Sequence, residues 1–303
     1  MATTGKKTIL AALIANVGIA IAKFLGFAIT KSSTMLAEGI HSSADSANQL
    51  LLLLGTKRAK REPSSKHPFG YGRERYFWSF VVALILFSLG SLFAIYEGIE
   101  KIRHPHVLNN ASWAIGILIF GICIESFSFR TAIVEAKTIK GETSWSKFVI
   151  RSKQPEIPVV LLEDAGALFG MVIALAAISM VKITDEPIWD GIGTLSIGIL
   201  LGVIAIILAR EMHSLIIGEA ASETDRLKII NVIESNNKVV ELVEMRTQHL
   251  GPEEILIGVR VAFNETLQAK EIADLINHLE EKIRIEIKDA GPIFIEPELS
   301  KGN

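Results

Sequence analysis

Cysteine is nearly absent from this sequence. Cys123 is the only one in 303 residues, which excludes an intramolecular disulfide or a thiolate metal cluster and leaves the redox compartment unmarked. Charge is scarce as well: 21% of residues are Asp, Glu, Lys or Arg, against 50% hydrophobic, and the mean hydropathy is +0.40. That balance is too apolar for an average soluble protein. No G-x-x-x-x-G-K-[S/T] loop occurs, so nothing provides for drive by ATP, and no cofactor is expected. The His-Glu-x-x-His pair of a metallohydrolase is missing too. A net charge of −2 gives no basic surface for nucleic acid. Neither a low-complexity segment nor a fixed-period repeat is evident.

The charges that are present divide the chain. Residues 1–208 hold 20 Lys and Arg against 15 Asp and Glu, a net of +5, confined to short breaks between apolar runs. Residues 209–303 hold 11 against 18, a net of −7, evenly spread. The pattern predicts an α-helical membrane protein with three parts: a six-helix transmembrane domain over 1–208, a linker over 209–221 and a small cytoplasmic α/β domain over 222–303. Six apolar runs, near 7–29, 34–55, 77–100, 112–134, 157–181 and 189–208, approach the roughly 20 residues a helix needs to cross a bilayer. Lys23 interrupts the first, which reads as a retained span rather than a cleaved signal peptide. Basic residues crowd the N-terminus, the second connection (Lys57 to Arg75) and the fourth (Arg130 to Lys153), so both termini are expected in the cytoplasm. Trp78, Trp113 and Trp189 stand at span starts as interfacial anchors. Lys23 and Glu97 are expected to snorkel from near helix ends.

In the tail, Ser222-Glu-Thr-Asp225 resembles a capping box opening a helix with Leu227, Ile230 and Ile233 inward. Two apolar strands flank Gly251-Pro252-Glu253-Glu254 as a hairpin. A helix with Ile272, Leu275, Leu279 and Ile283 on one face and a final strand at Pro292–Ile295 follow, giving the order αββαβ.

Ionisable residues inside a span cost about 2.5–3.5 kcal/mol each at the centre, so each one present demands a reason. In the second span the helical repeat stacks Glu38, His41, Asp45 and Asn48 along one side. A neutral imidazole and a carboxylate four residues apart suit zinc and other first-row metals; a His–Asp hydrogen bond that only locks helix packing is the alternative. The fifth span carries Glu163 and Asp164 among small residues. Neighbours project about 100° apart on a helix, so only one of the two points squarely at a site shared with the second span, and the other serves protons or supporting bonds. Glu125 in the fourth span is either a proton carrier or a partner for an adjacent helix. His67, His104, His106 and His213 read as loop, turn and interfacial residues.

Longer strings carry a resemblance. They are Ala37-Glu38-x-x-His41-Ser42-x-x-Asp45-x-x-Asn48-Gln49-Leu50-Leu51, His67-Pro-x-Gly70-Tyr71-Gly72-x-x-Arg75-Tyr76-Phe77-Trp78 and Val160-Leu-Leu-Glu163-Asp164. Together with six spans and an αββαβ tail they resemble the cation diffusion facilitators, in the branch related to the mitochondrial zinc exporter of animals. The resemblance implies a homodimer in membrane lipid that exports a divalent cation in exchange for protons. It implies metal ligands at His41, Asp45 and Asp164, with Glu163 beside them and Glu38, Asn48 and Glu125 as proton or supporting groups. Zinc is the expected ion, with Mn, Co, Fe and Cd as alternatives, and the expected setting is a bacterial inner membrane. A non-transporting metal sensor signalling through the acidic tail is the rival reading. Two departures from the family stand out. Val160 occupies the position where many zinc exporters carry His or Asp, one turn before Asp164. The tail has Val243-Glu244-Met245-Arg246, Val259-Arg260 and Phe294 where the family often places histidine ligands, leaving His249 and His278. The tail is therefore expected to dimerise through apolar faces without a resident zinc cluster.

Overall fold

The computed structural model describes residues 13, 17–29, 31, 33–105 and 111–299, with the backbone alone at 33, 34, 37, 38, 41 and 151. The expected start of the first span, His106 and the side chains of Glu38 and His41 lie outside the described residues. The chain forms two compact units: residues 1–57 with 75–213, and residues 58–74 with 214–303.

The first unit is helical. Its elements are α1 (Val17–Ile29), α2 (Ser33–Ala59), α3 (Glu74–Arg103), α4 (Ala111–Lys140), a short α5 (Trp145–Arg151), α6 (Glu156–Thr184) and α7 (Ile188–Ile217). Four of them, α3, α4, α6 and α7, are long and apolar enough to cross a membrane. At 27 residues α2 has the length, but its first 17 residues include Glu38, His41, Ser42, Ser43, Asp45, Ser46, Asn48 and Gln49. The helices outrun the apolar stretches because hydrogen bonding, unlike hydropathy, continues until something breaks it. Thus α6 stops where Asp185 turns left-handed at φ 58°. Residues 209–217, expected as linker, extend α7 until Gly218 at φ +114°.

Apolar side chains of α2, α3, α4, α6 and α7, among them Met35, Val82, Leu118, Met171 and Leu201, fill the bundle. Large exposed ones such as Phe120, Phe127, Phe169 and Ile206 cover its outside, a distribution suited to lipid. Helices α3 and α7 meet backbone to backbone. A Cβ at Gly98 would stand 2.5 Å from the Leu195 nitrogen, and one at Gly198 2.7 Å from the Ile95 nitrogen. In the π-helical turn Leu86–Leu92 of α3, Ser91 Oγ donates to the Gly198 carbonyl at 2.8 Å across this seam. Lys101 Nζ lies 3.9 Å from Asp190 Oδ2 at one end of it. Lys23 corrects an expectation. Only 2% exposed, it donates from Nζ to Ser42 Oγ on α2 at 2.7 Å, because a hydroxyl within reach removes the need to extend toward water.

The second unit is built from α8 (Glu223–Glu234), β1 (Val239–Gly251), β2 (Glu254–Phe263), α9 (Ala269–Glu286) and β3 (Ala290–Glu298). Central β2 pairs antiparallel with β1, at Met245 opposite Val259, and parallel with β3, at Arg260 opposite Glu296. Alternation along β2 turns Ile255, Ile257, Val259 and Val261 onto Leu275, Leu279 and Ile283 of α9. Ser222 caps α8, its Oγ accepting from the Asp225 nitrogen at 3.1 Å. The inward residues of α8 are Ile229 and Ile233, whereas Leu227, expected inward, is exposed. Two residues before Ile229 along a 100° repeat, Leu227 falls on the opposite face. His249 is buried rather than exposed: β1 draws it in, its N–H donating to the Glu219 carbonyl at 2.9 Å and its Nδ1 standing 3.3 Å from the Gly251 oxygen. The segment 58–74 belongs to this unit. A Cβ at Gly72 would meet the Leu250 carbonyl oxygen at 2.7 Å, so the α2–α3 connection lies against the hairpin backbone.

Candidate cation site in the helix bundle

The polar residues of α2 meet the acids of α6. Asp45, Asn48, Glu163 and Asp164 are all buried. Asn48 Nδ2 donates to Glu163 Oε1 at 2.7 Å, a bond between residues 115 positions apart. Ser128 Oγ on α4 donates to Asp164 Oδ2 at 3.1 Å. Asp45 lies near enough to both Glu163 and Asp164 to repel them electrostatically. Three helices thus converge on a small volume that holds three carboxylates, an amide and a hydroxyl. Asn48 Oδ1 and Gln49 Oε1 are buried oxygens with no hydrogen-bond partner among the described residues.

Asp164 opens onto a cavity of about 180 Å³, lined also by Gln49, Ser128, Thr131, Val160 and Glu156. Glu156, Val160 and Asp164 recur every four residues along α6, so one helical face runs from the bundle's end to the acid. At that end Arg75 grips Glu156 with two hydrogen bonds, one from Nε to Oε1 and one from Nη2 to Oε2 at 2.9 Å. Neighbours on α6, the two acids take different partners: Glu163 bonds to Asn48 on α2, whereas Asp164 bonds to Ser128 on α4 and lines the cavity. Glu125, one turn before Ser128 on α4, is buried. Among the described residues, no three His, Cys, Asp or Glu side chains are arranged to hold a metal ion. The His41 imidazole lies outside that set.

Residues 9–217 match the cation efflux transmembrane domain. The chain belongs to the cation efflux family. The family's transmembrane domain therefore extends through the end of α7. The mitochondrial proton-coupled zinc antiporter of Mus musculus is 30% identical over 261 residues, 85% of this chain and 46% of that protein. Metal tolerance protein C4 of Arabidopsis thaliana is 30% identical over 261 residues, 86% of this chain and 57% of its own length. Magnetosome protein MamB of a Magnetospira species is 22% identical over 284 residues, 94% and 92% of the two chains. The chain spans about half the length of the first two relatives. What the match establishes is the family and its transmembrane domain over residues 9–217.

Several contacts escape a reading of sequence alone. Ser128 had a usable signal, three residues after Glu125 and so on the same face of α4. Glu156 had one too, two turns before Asp164. The pairings of Arg75 with Glu156, Lys23 with Ser42 and Lys101 with Asp190 had none, since nothing local says which helix faces which.

Proposed function

We propose that this cation efflux protein is a homodimeric secondary transporter that exports a divalent cation, zinc, from the cytoplasm in exchange for protons. In this reading six spans lie in an inner membrane with both termini cytoplasmic. His41, Asp45 and Asp164 ligate the ion, and Glu163, held by Asn48, serves proton exchange. Two observations of chemistry support it: first-row divalent ions favour imidazole together with carboxylate, and like-charged acids buried together call for a cation. The observation that carries it is buried Asp164 at the side of a cavity that also reaches Glu156, two turns earlier on α6.

The cycle needs no covalent chemistry. With the site open to a neutral cytoplasm, ionised Asp45 and Asp164 and a neutral His41 bind the cation. With the site open to a more acidic outside, protons compete for the same groups and release it. Rocking of helices about a site near the bilayer midplane gives alternating access, and the mouth held by Arg75 and Glu156 is the cytoplasmic side. Proteoliposomes containing the full chain and a metal-sensitive dye test the reading. His41→Ala, Asp45→Ala and Asp164→Ala are each expected to abolish flux and leave a folded protein. Metal binding without flux in the unmodified protein favours the sensor reading instead. Near-normal flux in any one variant removes that residue from the ligand set, and comparing Zn, Mn, Co, Fe and Cd ranks the substrates.

A further inference from the structure

Lys23 takes no part in the cycle above, yet it is as deeply buried as the acids. On α1 it continues a face formed by Ile19 and Ala20, both buried, and its ammonium reaches Ser42 on α2 at 2.7 Å. Ser42 adjoins His41 and lies three residues before Asp45, so the two side chains neighbour each other on one helix face. Ser46, one turn on, bonds back to the Ser42 carbonyl at 3.0 Å, and all three of these α2 residues are buried. A lysine inside a membrane bundle is costly and is kept only where it does something. Here its ammonium is bonded to Ser42, one turn before the Asp45 carboxylate of the candidate site.

We propose that Lys23 is a built-in counter-cation of the transport site, tethered by Ser42 so that its charge weakens the hold of the acids on a divalent ion. The inference rests on the transport reading. A carrier must bind its ion and also let it go, and several buried acids acting unopposed would hold a divalent cation too tightly to release. A single positive charge close to a divalent ion weakens its binding by about tenfold when solvent screening is strong, and by more where it is weak.

The test is metal flux as a function of concentration in proteoliposomes, with zinc as the probe and the full chain throughout. Lys23→Gln keeps a hydrogen-bond donor and removes the charge. It is expected to lower KM for zinc about tenfold and to lower the maximal rate, since release slows. Lys23→Arg keeps the charge and is expected to hold KM near the unmodified value. Ser42→Ala removes only the tether and should shift KM in the same direction as Lys23→Gln by a smaller factor. An unchanged or raised KM in Lys23→Gln, or equal shifts in Lys23→Arg and Lys23→Gln, overturns the proposal. If Lys23→Gln does not assemble, Ser42→Ala decides alone, an unchanged KM being the contrary result. Absence of flux in the unmodified protein would overturn the transport reading and this inference with it. Flux present with an unmoved KM sinks the inference alone.

Discussion

Replacing Asn48 by leucine separates a supporting amide from the acid it holds beside the proposed ligands. Asn48 is wholly buried and gives Glu163 Oε1 a 2.7 Å hydrogen bond, so no water can substitute for the lost donor. Leaving a buried hydrogen-bond partner unsatisfied costs about 1–3 kcal/mol, and the similar size of leucine limits any further loss from packing. The bundle should therefore lose roughly 2 kcal/mol of stability. Glu163 would also lose the bond that holds its carboxylate on the α2 side, while its neighbour Asp164 keeps its own bond from Ser128. Disrupting a group that orients ligands costs metal sites about 10–100-fold in affinity. Zinc flux into vesicles as a function of concentration reads the affinity, and thermal unfolding followed by size-exclusion chromatography in detergent reads the stability. An Asn48→Leu protein that is less stable but has an unmodified KM would show that the Asn48–Glu163 bond merely packs helices. An unaltered KM with unaltered stability would refute the geometry of the site itself.

Val160→His should tighten zinc binding and slow its release, because position 160 lines the cavity one turn from Asp164 and an imidazole there adds a nitrogen ligand; zinc affinity measured by competition with a chelating dye checks this. Lys101→Met removes one partner of the buried Asp190 carboxylate and should lower detergent stability by about 1–3 kcal/mol, whereas Lys101→Met with Asp190→Leu should recover most of it. In the tail, His249→Ala should lower thermal stability by about 1–2 kcal/mol through lost packing and hydrogen bonding, and exposed His278→Ala should change it by less than about 0.5 kcal/mol. Zinc flux in the His249→Ala, His278→Ala double variant is expected to stay near normal.

The polar stripe of α2 and the acids of α6 were legible because helical periodicity assigns residues to faces, and Glu38, His41, Asp45 and Asn48 share one at every third or fourth position. The projection rule gave the two acids different directions but not which neighbour each would meet: it is Glu163 that bonds to α2 and Asp164 that bonds to α4. Periodicity assigns no partner to a face. That Asn48 meets Glu163, Ser128 meets Asp164 and Lys23 meets Ser42 depends on how α1, α2, α4 and α6 pack, and that is decided by side-chain shape across long stretches of chain. The same limit explains His249. It is buried, with its backbone N–H bonded to the carbonyl of Glu219, thirty residues earlier in the chain. It also explains the segment 58–74, whose basic charge pointed to the membrane surface while the bare backbones of Gly72 and Gly251 place it against the hairpin.

Proton movement driven by a metal gradient tests the central claim most directly. Vesicles containing the full chain and a pH-sensitive dye, with equal pH on both sides, receive zinc outside. Antiport predicts that the lumen becomes alkaline as zinc enters and protons leave, that the change depends on zinc concentration, and that Asp164→Asn abolishes it. Zinc entry without any change of lumenal pH would contradict the account.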